Sequence, residues 1–210
     1  MSYKPRCYTG EGIGIYPFRV LFISNGWHTN LNTLMYKDRM IIQTPDRLKL
    51  VAGTQVLAAA EIGDRARFAK LLGVLVPETW PPDSIRDVLD HLYGLYREHP
   101  DWEGWLAWYA VRTDNDCPIL CGSIGFKGPP DKQGIVEIGY SVLPEFQGQG
   151  LATEMVTAIV QWARQQPRVR RIEAEANIDN KASIRVLEKN NFVGARVGAE
   201  PNTIRFLHRS

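Results

Sequence analysis

Long apolar runs are missing from this chain of 210 residues. No stretch approaches the roughly 18 residues that a membrane-spanning helix needs, so no membrane partner is expected. Cysteine is scarce: Cys7, Cys117 and Cys121 are three, an odd number that cannot all pair, and no basic start with an apolar core precedes the domain. A reducing cytoplasm is the simple expectation. Cys117 and Cys121 have no histidine near them, which leaves a tetrahedral zinc set unfilled, and they read as ordinary thiols flanking a hairpin strand. The four histidines, His28, His91, His99 and His208, are dispersed. Neither a metal site nor a histidine-based triad is expected from that spacing. Charge of one sign is lacking too, since 25 Lys and Arg face 23 Asp and Glu. The densest basic cluster, Arg168-Val169-Arg170-Arg171, reads as a solvated helix-to-strand loop, and no nucleic-acid partner is expected.

What is present is a strand, a glycine turn and a helix in direct succession. From Gly134 to Leu143 the residues Val136, Ile138, Tyr140 and Val142 alternate with Ile135, Glu137, Gly139 and Ser141. Period two is the mark of a strand. Pro144 ends the run, and Gln147-Gly148-Gln149-Gly150-Leu151-Ala152 follows. From Leu151 the period becomes helical: Leu151, Met155, Ile159 and Trp162 form one stripe, and the pattern runs to about Gln166, where Pro167 stops it. The first N–H groups of such a helix have no intrahelical partner, and its dipole adds roughly half a positive charge. Glycines just ahead of them let a phosphate approach.

Two familiar phosphate loops do not fit. No Lys-Ser/Thr follows the glycines, and Thr153 stands where a dinucleotide loop has its third glycine. A wider pattern does fit. The strand Ile138-Gly139-Tyr140-Ser141-Val142-Leu143-Pro144, the loop Gln-x-x-Gly-x-Ala at 147–152 and the segment Asn177 to Phe192, with Asn180, Ser183, Leu187, Glu188 and Lys189 in place, together resemble the GNAT superfamily of acyl-CoA-dependent N-acetyltransferases. The nearest branch is similar to the Rim-type ribosomal-protein and small-amine acetyltransferases. The likeness is dense over 134–192 and extends from about Pro45 to the C-terminus.

That resemblance implies an α/β fold, a mixed and mostly antiparallel twisted sheet flanked by helices, with a splayed central strand pair. It implies acetyl-CoA as co-substrate and a primary amine as acceptor, attacked directly on the thioester. A free alkylamine is almost fully charged at pH 7, so a base is needed. Related enzymes often place a carboxylate on this strand, which makes Glu137 the candidate base, directly or through water; the alternative is a carboxylate paired with an arginine. Backbone groups of Ser141, Val142 and Leu143 are expected to meet the pantetheine arm, and one N–H to stabilise the oxyanion. Gln147, Gly148, Gln149, Gly150, Leu151, Ala152 and Thr153 are expected to hold the pyrophosphate, and Asn180 to touch the coenzyme. The tyrosine that many relatives use as acid toward the thiolate is replaced by Leu187. Ser183 is the candidate acid in its place, with Tyr140 and water as rivals, and Asn180 and Ser183 are also readable as a helix cap and its first turn. Asn191 replaces the usual glycine before Phe192, and asparagine tolerates the left-handed turn this requires. A non-catalytic acyl-CoA-binding module is the alternative reading.

Elsewhere the patterns predict a strand over 48–51, helices over 55–60 and 65–72, and a helix capped by Asp83 or Ser84 and running to Glu98. Strands are expected over 106–112, 120–127, 171–175, 192–197 and 203–207, and a helix over 180–189. Residues 1–44 carry no surviving period and read as a poorly ordered extension ahead of a domain over 45–210, with Met40 a candidate natural start. Trp80, Trp102, Trp105 and Trp108 read as core, or as a wall of an amine cleft. The acceptor stays open between a small molecule and a protein N-terminus, and the assembly between monomer and homodimer.

Overall fold

The computed structural model describes the backbone of residues 33–36 and all of residues 39–114 and 117–209. Its strands are β1 (Thr33–Tyr36), β2 (Arg39–Gln43), β3 (Leu48–Ala52), β4 (Ala107–Arg112), β5 (Ile119–Phe126), β6 (Ile135–Val142), β7 (Arg171–Asn177), β8 (Phe192–Val197) and β9 (Thr203–His208). Its α-helices are α1 (Gln55–Gly63), α2 (Arg65–Leu72), α3 (Asp83–Arg86), α4 (Leu89–Glu98), α5 (Leu151–Arg164) and α6 (Lys181–Lys189). The strands form one nine-stranded sheet in the order β1-β2-β3-β4-β5-β6-β7-β9-β8. Every neighbour is antiparallel except β6 and β7, which run parallel because α5 carries the chain back across the sheet.

Both faces of the sheet are covered. On one, Leu151, Met155, Ile159 and Trp162 of α5, the stripe read from the sequence, pack on Leu50, Trp108, Val136, Ile138 and Ala174. On the other, Leu57 and Ala60 of α1 and Phe68 of α2 close over Trp80, Tyr109, Leu120 and Leu143. Fully burying a side chain of this size stabilises by about 1.5–3 kcal/mol, so these two layers set the fold. Trp80 and Trp108 are buried core, as expected, and Trp105 packs edge-on against Trp162. Among the described residues no helix is long and apolar enough to cross a membrane.

Three expectations need correction. The sheet begins ahead of residue 45, because Arg39–Gln43 pairs with β3 and Arg39 donates to the Leu71 carbonyl at 2.6 Å; residues 1–32 lie outside the described residues. The helix expected from Asp83 to Glu98 is two helices, broken at Asp87–Val88, and its N-cap is Pro82, without a side-chain bond. The two cysteines are not a matched pair of thiols flanking a strand: Cys121 lies inside β5 as a buried thiol whose burial pushes it up to about 12, and Cys117, just ahead of β5, is disulfide-bonded.

Candidate active site

The register of β6 and β7 defines a cleft. They pair from Ile135↔Arg171 to Ile138↔Ala174 and no further, although β6 continues to Val142 and β7 to Asn177. Past Ile138 the β6 edge that faces β7 is unpaired. This is the expected splay, and it opens toward the N-terminus of α5. In an antiparallel strand alternate residues direct their backbone groups to opposite neighbours. Leu143 donates its N–H to the Cys121 carbonyl at 3.0 Å. Leu143 and Ser141 therefore face β5, and Tyr140 and Val142 present their backbone groups to the cleft. Of the expected trio, Val142 alone offers its backbone there.

At the end of β6 the chain turns through Gly148 and Gly150, with φ of 72° and 81°. Those left-handed values favour glycine, so the loop needs both positions. Gly150 caps α5 without a side-chain bond, which leaves the first-turn donors at Leu151, Ala152 and Thr153 open. The loop is held from outside. The Gln147 amide donates to the Val142 carbonyl at 2.9 Å, and Gln149 accepts from Arg112 at 2.8 Å and, through its carbonyl, from Arg47 at 2.5 Å. Arg47 is in turn fixed by Glu154 of α5, whose Oε1 accepts from Thr44 at 2.5 Å and from Leu48 N–H at 3.2 Å. Sequence reading missed Arg47, Arg112 and Glu154, which lie as much as 110 residues from their partners.

On the α5 face of the sheet, the Tyr140 hydroxyl lies 2.9 Å from Ser183 Oγ and donates to the Ser183 carbonyl at 3.1 Å. Burial raises the Tyr140 phenol, and the bond with Ser183 opposes that shift. Asn180 caps α6 by accepting from Ser183 N–H at 2.9 Å, and Asn191 adopts φ 61°, the left-handed turn expected of it. Tyr140, Ser183 and Asn180 are thus brought together.

Glu137 stands apart from them. It lies on the opposite face, where β6 and β7 are still paired, with Oε1 2.5 Å from Lys127 Nζ and Oε2 bonded to Arg205. Arg205 also binds Glu173 and Glu175. Both Glu137 oxygens are ion-paired with cations, so the carboxylate's charge is already offset and an incoming ammonium would have to approach past two like charges.

A different carboxylate, invisible in the sequence, faces the α1 side. Glu61 closes the alanine-rich α1; its Oε1 accepts from Trp80 Nε1 at 2.9 Å and its Oε2 from the Tyr109 hydroxyl at 2.6 Å. Burial raises Glu61 to about 7, against the opposing effect of those two bonds. Its only sequence signal is a lone acid in an apolar segment. Among the described residues no group of histidine, cysteine and carboxylate side chains is arranged to hold a metal.

Comparison with known proteins agrees with this geometry. The family model described as an acetyltransferase (GNAT) domain matches residues 54–193. An uncharacterized N-acetyltransferase, YjdG of Bacillus subtilis, is 28% identical over 162 residues, covering 77% of this chain and 95% of the relative. Among solved structures, the ribosomal L7/L12 alpha-N-protein acetyltransferase RimL superposes with a TM-score of 0.57 at 21% identity, over 82% of this chain and 95% of its own. The microcin C7 self-immunity acetyltransferase MccE, solved with acetyl-CoA and AMP, superposes with a TM-score of 0.56 at 16% identity, over 80% of this chain and 96% of its own. Since the family model covers two thirds of the chain, including the cleft strand β6, the glycine loop and α5, the chain belongs to the GNAT acetyltransferase family, and it shares its fold with RimL.

Proposed function

We propose that this protein transfers the acetyl group of acetyl-CoA to a primary amine. The observation that carries the reading is the end of β6–β7 pairing at Ile138 and Ala174, which leaves a free strand edge leading to an uncapped helix N-terminus. The pyrophosphate sits on Gly148 to Thr153, where unpaired N–H groups and the helix dipole favour negative charge. The pantetheine arm lies along the β6 edge at Tyr140 and Val142, near Asn180. The Val142 N–H stabilises the oxyanion formed when the amine attacks the thioester carbon.

As the C–S bond breaks, the sulfur leaves with the electron pair and takes a proton. Tyr140 supplies it in this reading, its hydroxyl hydrogen-bonded with Ser183. Because the two oxygens of Glu137 are held by Lys127 and Arg205, we assign that carboxylate to structure. The acceptor is a small amine or a protein N-terminus.

Thermal denaturation with acetyl-CoA, followed by thiol release over a set of amines, tests the reading. Acetyl-CoA at 100 times its dissociation constant stabilises by about 2.7 kcal/mol. No shift would remove the coenzyme assignment. A shift without thiol release on any amine would favour the non-catalytic acyl-CoA-binding module, which the leucine at position 187 permits.

A further inference from the structure

The face of the sheet opposite α5 carries a surface pocket lined by Glu61, Ile62, Pro81, Arg86, Leu89 and Asp90. It lies beside the cleft: Ser84, between Pro81 and Arg86, has its hydroxyl 3.0 Å from the Ser141 hydroxyl on β6. The same face gives a second measure. Tyr109, Ser123 and Ser141 are register neighbours on β4, β5 and β6, so Tyr109, which holds Glu61, is two strand spacings or roughly 10 Å from Ser141.

We propose that this pocket receives the amine acceptor and that Glu61 is the base that takes its proton. The assignment rests on the acetyl-transfer reading above and supplies the group that reading lacks. A primary ammonium entering past Asp90 meets a carboxylate whose two oxygens each accept one fixed bond and keep a further lone pair. The proton passes from nitrogen to Glu61 as the ammonium enters, or through water in the pocket, and the freed lone pair forms the C–N bond. The second proton lost from nitrogen equals the one the departing thiolate gains, and Glu61 returns its proton to solvent through the open pocket. Net, one ammonium and one thioester give an amide, a thiol and a proton.

The charged and titratable groups around Glu61 are compatible with this. Arg86 of α3 is committed to the Pro81 carbonyl at 3.1 Å and to Asp83 at 3.5 Å. Arg65 of α2 donates to the Trp80 and Val76 carbonyls. Tyr109 of β4 and Tyr96 of α4 are buried phenols, both raised chiefly by burial, and Asp90 of α4 lies on the rim. None of the bonds to Arg65 or Arg86 ties up the carboxylate. Burial gives Glu61 a titration near 7, the range in which a base both holds and releases protons at working pH.

The test is the pH profile of kcat/KM for wild type, Glu61→Gln and Glu61→Asp, using whichever of n-butylamine, serine amide and spermidine releases most thiol. Wild type should lose activity as pH falls through about 7. Glu61→Gln should be lower by about a hundredfold at neutral pH and approach wild type above pH 10, where the amine is already neutral, while keeping its acetyl-CoA thermal shift. Glu61→Asp should lie between them. The acceptor-free protein gives a second readout: tryptophan fluorescence should titrate near 7 in wild type through the Trp80 bond, and not in Glu61→Gln. A Gln variant with the wild-type profile and an intact coenzyme shift would overturn the proposal and leave the transferase reading standing. So would equal activity of the Asp and Gln variants, or a Gln variant that loses the coenzyme shift along with activity, since that marks a structural role. Absence of thiol release from all three amines would overturn both.

Discussion

Tyr140 on β6 and Ser183 on α6 are separated by 43 residues and meet hydroxyl to hydroxyl at 2.9 Å, joining the cleft edge to the helix that closes its far side. If Tyr140 protonates the departing thiolate, Tyr140→Phe should lower kcat about tenfold. A loss below the usual range of about a hundred- to ten-thousandfold for acid–base catalysis is expected because a thiolate with a thiol pKa near 8.5 is already a fair leaving group. Ser183→Ala removes one of the two bonds to the Tyr140 hydroxyl and should cost less. Single-turnover acetyl transfer checks both, and a Phe variant with unchanged kcat would remove Tyr140 from the step.

Gly150 caps α5 at φ 81°, and a Cβ there would sit 3.5 Å from the Arg47 guanidinium. Space is therefore adequate, and the backbone is the obstacle. Gly150→Ala should cost about 1–2 kcal/mol for the left-handed conformation and weaken acetyl-CoA binding about tenfold if the loop relaxes away from its present path. Titration calorimetry with acetyl-CoA measures the loss.

Glu154 has no place in the chemistry, yet it fixes Thr44, Arg47 and the Leu48 N–H, and through Arg47 the Gln149 carbonyl. Glu154→Ala should therefore raise the dissociation constant for acetyl-CoA about three- to tenfold while leaving kcat at saturation nearly unchanged. A fall in kcat with unaltered binding would contradict a positioning role.

Glu137→Gln should act on stability. Its bond to Arg205 is largely enclosed, but Arg205 keeps Glu173 and Glu175, so the loss should be about 1–2 kcal/mol rather than the 3–5 kcal/mol of an isolated buried pair. Denaturant unfolding and kcat/KM on the same variant decide the matter. A large fall in kcat/KM at low pH, with little change in stability, would return the base to Glu137.

Glu61 gives stability a pH dependence of definite sign. Its folded value is raised from 4.5 to about 7, so the native state binds the proton more tightly than the unfolded chain. The resulting stabilisation is complete below about 4.5 and is lost as pH rises through about 7. At 1.36 kcal/mol per unit the span is about 3 kcal/mol. Between pH 5 and 7.5 wild type should lose stability relative to Glu61→Gln by an amount of that order, measured by urea unfolding at each pH.

Much of this molecule was legible in its sequence, because periodicity is a local property. The alternation over 134–143 became β6, the stripe from Leu151 to Trp162 became the buried face of α5, and Asn191 took the left-handed turn its position required. Arg39–Gln43 was not legible. Its five residues carry too little period to mark a strand, and they are held there by pairing with β3. The long helix expected over 83–98 failed for the converse reason, since a continuous apolar pattern does not report a break at Asp87–Val88.

The strand, glycine turn and helix over 134–166 could be read from residues adjacent along the chain, because period and turn chemistry are local. Both carboxylates line surface pockets, and packing between distant segments sets the difference between them: one lies between two cations and the other between two neutral donors. Glu137 is ion-paired by Lys127 and by Arg205, which lies 68 residues away, and Glu61 is desolvated beneath Trp80 and Tyr109. A carboxylate's chemistry is set by the charges and the solvent around it, and those are fixed by packing between segments distant in sequence.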